Sequence, residues 1–133
     1  MQVVIFKLKN EQFAVETSRV QTISEAMTVT KVPKAPEYVK GLINLRGSVL
    51  SLLDINLLLN IGENHAEQES TIILKLQDEL IGVAVDQVDE VLEVDESIIE
   101  NVQDDKKEPY VKGIINFKDR IVTYIDIDKL ISV

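Results

Sequence analysis

One stretch of this chain occurs twice. Tyr38-Val39-Lys40-Gly41-Leu42-Ile43-Asn44-Leu45 returns as Tyr110-Val111-Lys112-Gly113-Ile114-Ile115-Asn116-Phe117. In the same register Asp54-Ile55 matches Asp126-Ile127 and Leu58 matches Leu130, which makes 9 identities over the 21 positions from 38 to 58. Ordinary residue frequencies would give roughly one or two. A fainter match lies upstream, where Asn10-Glu11-Gln12-Phe13-Ala14-Val15 resembles Asp78-Glu79-Leu80-Ile81-Gly82-Val83 and Val20 falls opposite Val88. The offset is 68 upstream and 72 downstream, so the second copy holds about four extra residues, assigned to the polar loop Gln103-Asp104-Asp105-Lys106-Lys107-Glu108. A duplicated unit has to bury its apolar face against its own copy or a neighbour. At 133 residues the chain fits one domain made of two related lobes, approximately 1–68 and 69–133, joined by Gly62 to Glu69. Whether strands are exchanged between the lobes is left open.

The residue types point to strands. The apolar fraction is 45% but aromatics supply only 5%, so Val, Ile and Leu dominate, and stiff β-branched side chains suit a pleated surface. Val3 to Lys9 and Phe13 to Val15 flank the turn-forming Lys9-Asn10-Glu11-Gln12, and Thr71 to Gln77 and Leu80 to Val85 flank Gln77-Asp78-Glu79. Ile81, Val83 and Val85 alternate with Gly82 and Ala84, the period of a strand, and the small residues on its second face imply close approach by another segment. Pro36-Glu37-Tyr38-Val39-Lys40-Gly41 reads as one helical turn capped by Gly41. Leu42 to Leu45, the turn Arg46-Gly47-Ser48 and Val49 to Leu53 read as a hairpin with Gly47 at positive φ. Short helices are expected at Asn56 to Ile61 and Asp128 to Ile131. The order suits a mainly β fold of two small barrels with about five strands each.

Catalytic chemistry finds little support. With no cysteine, thiol nucleophiles, thiolate metal sites and disulfides are excluded. The single histidine, His65, lies in the polar run Gly62-Glu63-Asn64-His65-Ala66-Glu67, without the framing partners a general base or metal ligand needs. No phosphate-binding glycine loop, serine elbow or helical histidine pair occurs. Acid pairs such as Asp89-Glu90 and Asp95-Glu96 are plentiful, but no marked apolar pocket surrounds them to raise a pKa. Asp54 and Asp126 stand at equivalent places, where a helix N-cap is the better reading than a unique active site. Arg46, at a turn tip beside Gly47, could grip a partner's carboxylate or carbonyls with its forked donors, although on spacing alone an idle surface arginine is the better reading.

Charge and hydropathy narrow the partners. The net charge of −9 disfavours nucleic acid and anionic membranes. It is unevenly placed: residues 1–62 carry 7 basic and 5 acidic groups, residues 63–108 carry 3 and 15, and residues 109–133 carry 4 and 3. The acidic middle is either a solvated face or a surface that sorts partners by sign. The N-terminus lacks a signal-peptide pattern, and the longest apolar stretch, Val49 to Ile61, is broken by Ser51, Asp54, Asn56 and Asn60. A soluble, intracellular protein is expected, with no direct membrane insertion.

Lys40-Gly41-Leu42-Ile43-Asn44-Leu45-Arg46-Gly47-Ser48-Val49-Leu50-Ser51-Leu52-Leu53-Asp54-Ile55 resembles the CheW family, whose pattern here is an apolar strand, Asn-Leu-Arg-Gly, a second apolar strand and a closing Asp. Val20-Gln21-Thr22-Ile23 and Ile81-Gly82-Val83-Ala84-Val85-Asp86, through Val88 and Val91, are similar to family segments in order and spacing, so the resemblance spans about residues 3 to 131. It implies two intertwined five-stranded SH3-like barrels on a shared hydrophobic core. It implies a cytoplasmic, non-catalytic chemotaxis adaptor, without cofactor or metal, recruited to membrane-associated receptor arrays. Its partners would be the CheW-like regulatory domain of a CheA-type histidine kinase and the cytoplasmic tip of methyl-accepting receptors, the tip lying in the groove between lobes.

Carried over by position, Arg46 takes the family arginine's place beside the receptor, and Val20, Val88 and Val91 line the groove. Lys40, Gly41 and Gly82 match positions implicated in kinase or receptor coupling, undivided between the two partners. Thr22 stands where some relatives carry an acid, and the sequence ends at Val133 without the longer C-terminal helix of some members. Two rival readings stand beside this one. The first is a paralogue or excised module serving another signalling array. The second is a small-barrel nucleic-acid binder, which would need a basic, aromatic groove that three Phe, three Tyr, no Trp and a −9 charge do not supply.

Overall fold

The computed structural model describes residues 1–61, 68–101 and 108–131. His65, most of the connector and most of the Gln103–Glu108 loop lie outside the described residues. The strands are β1 (Gln2–Leu8), β2 (Glu11–Glu16), β3 (Val20–Glu25), β4 (Val39–Leu45), β5 (Ser48–Asp54), β6 (Ser70–Lys75), β7 (Leu80–Val85), β8 (Gln87–Glu93), β9 (Ile99–Glu100), β10 (Val111–Asn116) and β11 (Ile121–Ile125). Two single-turn helices, α1 (Ile55–Leu58) and α2 (Ile127–Leu130), follow β5 and β11. The mainly β fold with short helices is as the sequence implies.

The strands form two sheets, β8-β1-β2-β11-β10-β9 and β3-β6-β7-β5-β4. Each sheet therefore takes its first hairpin from the other copy. The β1–β2 hairpin of the first copy sits between β8 and β11 of the second, and β6–β7 sits between β3 and β5. Both inserted hairpins join their host by a parallel pair, Thr123 opposite Phe13 in one and Leu53 opposite Val83 in the other. The sixth strand of the larger sheet is the two-residue β9, which pairs Glu100 with Ile114. Its counterpart in the first copy is shorter still, a single bridge between Thr30 and Leu42.

Exchange gives one continuous interior. Phe6, Leu8, Phe13 and Val15 from the first hairpin pack with Ile72, Leu74, Ile81 and Val83 from the second, and Ile55, Ile125 and Ile127 close the ends. The Phe6 and Phe13 rings stack at 5.9 Å between centroids, within the favoured range for aromatic pairs. Smaller clusters lie outside it, one around Ile5, Ile115, Val122 and Tyr124, the other around Ile43, Leu50, Leu52, Ile73 and Ala84. Neither copy could keep these side chains from water alone.

One local expectation is corrected. Pro36 to Gly41 is not a helical turn: the Val39 amide donates to the Pro36 carbonyl at 2.9 Å, closing a tight turn, and β4 starts at Val39. Gly41 is a strand residue at φ 152°, beside a register shift between Val39 and Gly41, and not a helix cap. The β-branched Val39 and the pairing of β4 with β5 outweigh a helix signal only one turn long.

Candidate functional site

The repeated motif first does structural work. Asp54 Oδ1 accepts from the Asn56 and Leu57 amides, at 3.0 and 3.4 Å, and Asp126 Oδ1 accepts from the Lys129 amide at 3.3 Å. Both aspartates are N-caps, as expected. Their own amides donate to Tyr38 and Tyr110 carbonyls, at 2.6 and 2.7 Å, so each repeat locks its motif's start to its end.

The same reading covers three of the residues singled out for partner coupling. A Cβ on Gly41 would lie 2.3 Å from the Thr30 carbonyl oxygen. One on Gly113 would lie 2.7 Å from that of Glu100. The glycine is repeated because a backbone crosses it in both copies. Gly82 is buried, with Ile43, Leu52 and Ile73 methyls at 3.0, 3.2 and 3.4 Å from where its Cβ would stand. Lys40 Nζ donates to Gln68, whose own amide donates to the Ala84 carbonyl at 3.2 Å, tying β4 towards β7. Its repeat equivalent Lys112 reaches Glu16 at 3.6 Å and lies 5.3 Å from the Tyr124 ring.

Arg46 is placed differently. Leu45 and Ser48 are the last paired residues of the β4–β5 hairpin, so Arg46-Gly47 is a two-residue loop. Both residues have positive φ, 52° and 91°, the requirement of a type I′ turn, which matches strand twist but prefers Asn-Gly. Left-handed backbone costs a non-glycine residue about 1–2 kcal/mol. Among the described residues, nothing pairs with the exposed Arg46 guanidinium. The second copy's hairpin tip is built otherwise. There neither Lys118 nor Asp119 has positive φ, and Arg120, the counterpart of Ser48, pairs with Glu90 while lying 5.1 Å from the Phe117 ring. Glu90 holds that guanidinium's pKa above its usual value.

The valines divide. Val20 is on β3 and Val88 on β8, edge strands of different sheets. Val20 pairs with Leu74 and Val88 with Phe6, so both lean half-buried on the shared core. Val91 projects outwards, 46% exposed. Arg46 lies on the β4–β5 hairpin, at the edge of its sheet opposite the strand of Val20 and in a different sheet from β8.

Sequence reasoning passed over Ile23, Val49 and Ile121. Val49 and Ile121 are equivalent by the repeat and are each 63% exposed, one residue into the second strand of its hairpin or at its start. Ile23 is equivalent to Val91 and is 40% exposed. Among the described residues the two copies thus leave the same two apolar positions in water. The signal was present, because Ile23 shares its strand phase with Gln21 and Glu25, and Val91 shares its phase with Glu93. An apolar recess of about 330 Å³ also opens where the repeat-equivalent Leu58 and Leu130 approach Tyr38, Leu53 and Ile81.

This geometry agrees with comparison to known proteins. Residues 2–133 match the CheW-like domain family. The chain belongs to that family. Chemotaxis protein CheW of Thermotoga maritima is 30% identical, the alignment covering 98% of this chain and 87% of that protein. CheW of Bacillus subtilis is 29% identical, with 97% and 85% covered. The crystal structure of the scaffolding protein TtCheW from Thermoanaerobacter tengcongensis superposes with a TM-score of 0.88 at 28% identity, covering 99% of this chain and 92% of that one. A CheW-like chain of this kind is a chemotaxis scaffold, and its function is adaptor work instead of catalysis. No helix among the described residues is long and apolar enough to cross a membrane.

Proposed function

We propose that the chain couples a CheA-type histidine kinase to methyl-accepting receptors, in the cytoplasm, at membrane-associated arrays. The observation that carries this reading is the pair of repeat-equivalent exposed apolar positions, Val49 with Ile121 and Ile23 with Val91. Isolated apolar residues on a surface need no explanation, but the same two positions left exposed in both copies suit a protein held from two sides. The hairpin tips bearing Val49 and Ile121 would meet a barrel of the kinase's regulatory domain. The edges β3 and β8, with Val20, Val88 and Val91, would receive the receptor's helical tip. Arg46, at the β4–β5 tip that also carries Val49, would hold a carboxylate or carbonyl of the receptor where receptor and kinase meet.

Lys40, Gly41 and Gly82 support coupling from beneath. Lys40 tethers β4, and the two glycines let the β4–β5 hairpin lie against Thr30 and over β7. An adaptor passes on receptor state only if its contacts differ in free energy between the kinase-on and kinase-off arrangements.

The test is Arg46→Ala in reconstituted arrays. Its thermal midpoint should match the wild type, kinase binding should persist, and receptor-stimulated kinase activity should fall. Full stimulation by the variant would overturn Arg46's place in the reading.

A further inference from the structure

We infer that Asn44 is a positioning residue for Arg46: its side chain holds the hairpin tip in the strained turn that aims the guanidinium at a partner. This rests on the partner role proposed for Arg46. Asn44 is exposed and is the residue of β4 two before the turn. Its Oδ1 accepts from the Gly47 amide at 2.8 Å, across the Arg46-Gly47 loop. That bond ties the left-handed pair to the strand before it. Below the tip, Ile43 and Leu50 are buried opposite each other, so the hairpin stem is fixed and only the loop needs holding.

The second copy shows what happens without this device. Asn116 is repeat-equivalent to Asn44, but the turn after it, Lys118-Asp119, contains no glycine and no residue at positive φ, and no side-chain bond from Asn116 spans it among the described residues. The cation equivalent to Arg46 is Lys118, exposed and likewise unpaired among the described residues, so the two copies differ in the backbone beneath it. Arg46 alone of the two stands on a clamped left-handed turn. With its backbone fixed by Asn44 and its side chain unpaired, it keeps a defined origin and free donors, the combination that lowers the ordering cost of a charge-assisted contact. A residue of unfavourable turn propensity, backed by a dedicated side-chain clamp, points to use by a partner.

The experiment is a double-mutant cycle on the full chain, read by calorimetric titration with a soluble fragment of a methyl-accepting receptor's signalling tip. Asn44→Ala should weaken binding about five- to tenfold with little change in thermal midpoint, and should add nothing in an Arg46→Ala background. Asn44→Asp keeps the acceptor and should retain most of the affinity at high salt, where its added charge is screened. Asn44→Ala binding like the wild type would overturn the inference, as would an equal loss with and without Arg46, which marks a purely structural role. If Arg46→Ala alone leaves titration unchanged, the proposed role of Arg46 fails and this inference fails with it.

Discussion

The carbonyl oxygen of Thr30 lies 2.3 Å from where a side chain on Gly41 would begin, so the edge segment and β4 share space only because that residue is glycine. Gly41 also holds a φ of 152°. Gly41→Ala should therefore cost about 2–4 kcal/mol, as strain at a special backbone position does. Gly82→Ala meets methyl groups able to shift slightly and should cost about 1–3 kcal/mol. Urea denaturation midpoints check both. Any loss of coupling in these variants should follow their loss of folded protein.

Arg46→Asn places the residue a type I′ turn prefers at a position whose φ is 52°. It should stabilise the fold by about 0.5–1 kcal/mol while weakening binding to a receptor tip. Denaturation and titration on the same preparation check the opposed signs.

Val49 is 63% exposed and makes no part of the buried clusters. Val49→Asp should leave stability within about 0.5 kcal/mol of wild type and lower affinity for a kinase regulatory domain by about tenfold or more, as loss of a central anchor does. Ile121→Asp should behave likewise at the other tip. Calorimetry with the isolated regulatory domain provides the measurement.

Glu16 accepts the Tyr124 hydroxyl, and that hydrogen bond holds its carboxyl below the usual glutamate range, with Ser18 and Lys112 adding to the effect. Burial, followed by Glu16 itself, pushes the Tyr124 hydroxyl up. On acidification the unfolded chain takes up the Glu16 proton before the folded one does. The stabilisation is therefore complete above the ordinary glutamate pKa of about 4.3 and is lost as pH falls through the lower folded value. The stability difference between wild type and Glu16→Gln should be largest near neutrality and shrink below about pH 4, as thermal midpoints across pH will show.

Asp54→Ala removes the acceptor for the Asn56 and Leu57 amides and should cost about 1 kcal/mol. Asp126→Ala, which loses one longer bond, should cost less. Denaturation midpoints rank the two.

The linear chain contains the duplication, the β-branched strands, the two capping aspartates and the turn at Gly47, because these depend on residue type and on neighbours a few positions away. It also contains the Asn-Leu-Arg-Gly run that marks the family resemblance. The helical turn assigned to Pro36–Gly41 failed because a local signal one turn long yields to strand pairing, which the neighbours in sequence do not encode. Only the tertiary structure decided that the first hairpin of each copy is seated in the other copy's sheet, since that follows from which pairing buries Phe6, Phe13, Ile72 and Ile81 together. The close approach at Gly82 was legible in the small face of its strand, but the tertiary structure alone decided that the Thr30 backbone crosses Gly41 and that Arg46, Val49 and Ile121 face water. Exposure depends on what covers a residue, and here the covering segments are distant in the chain.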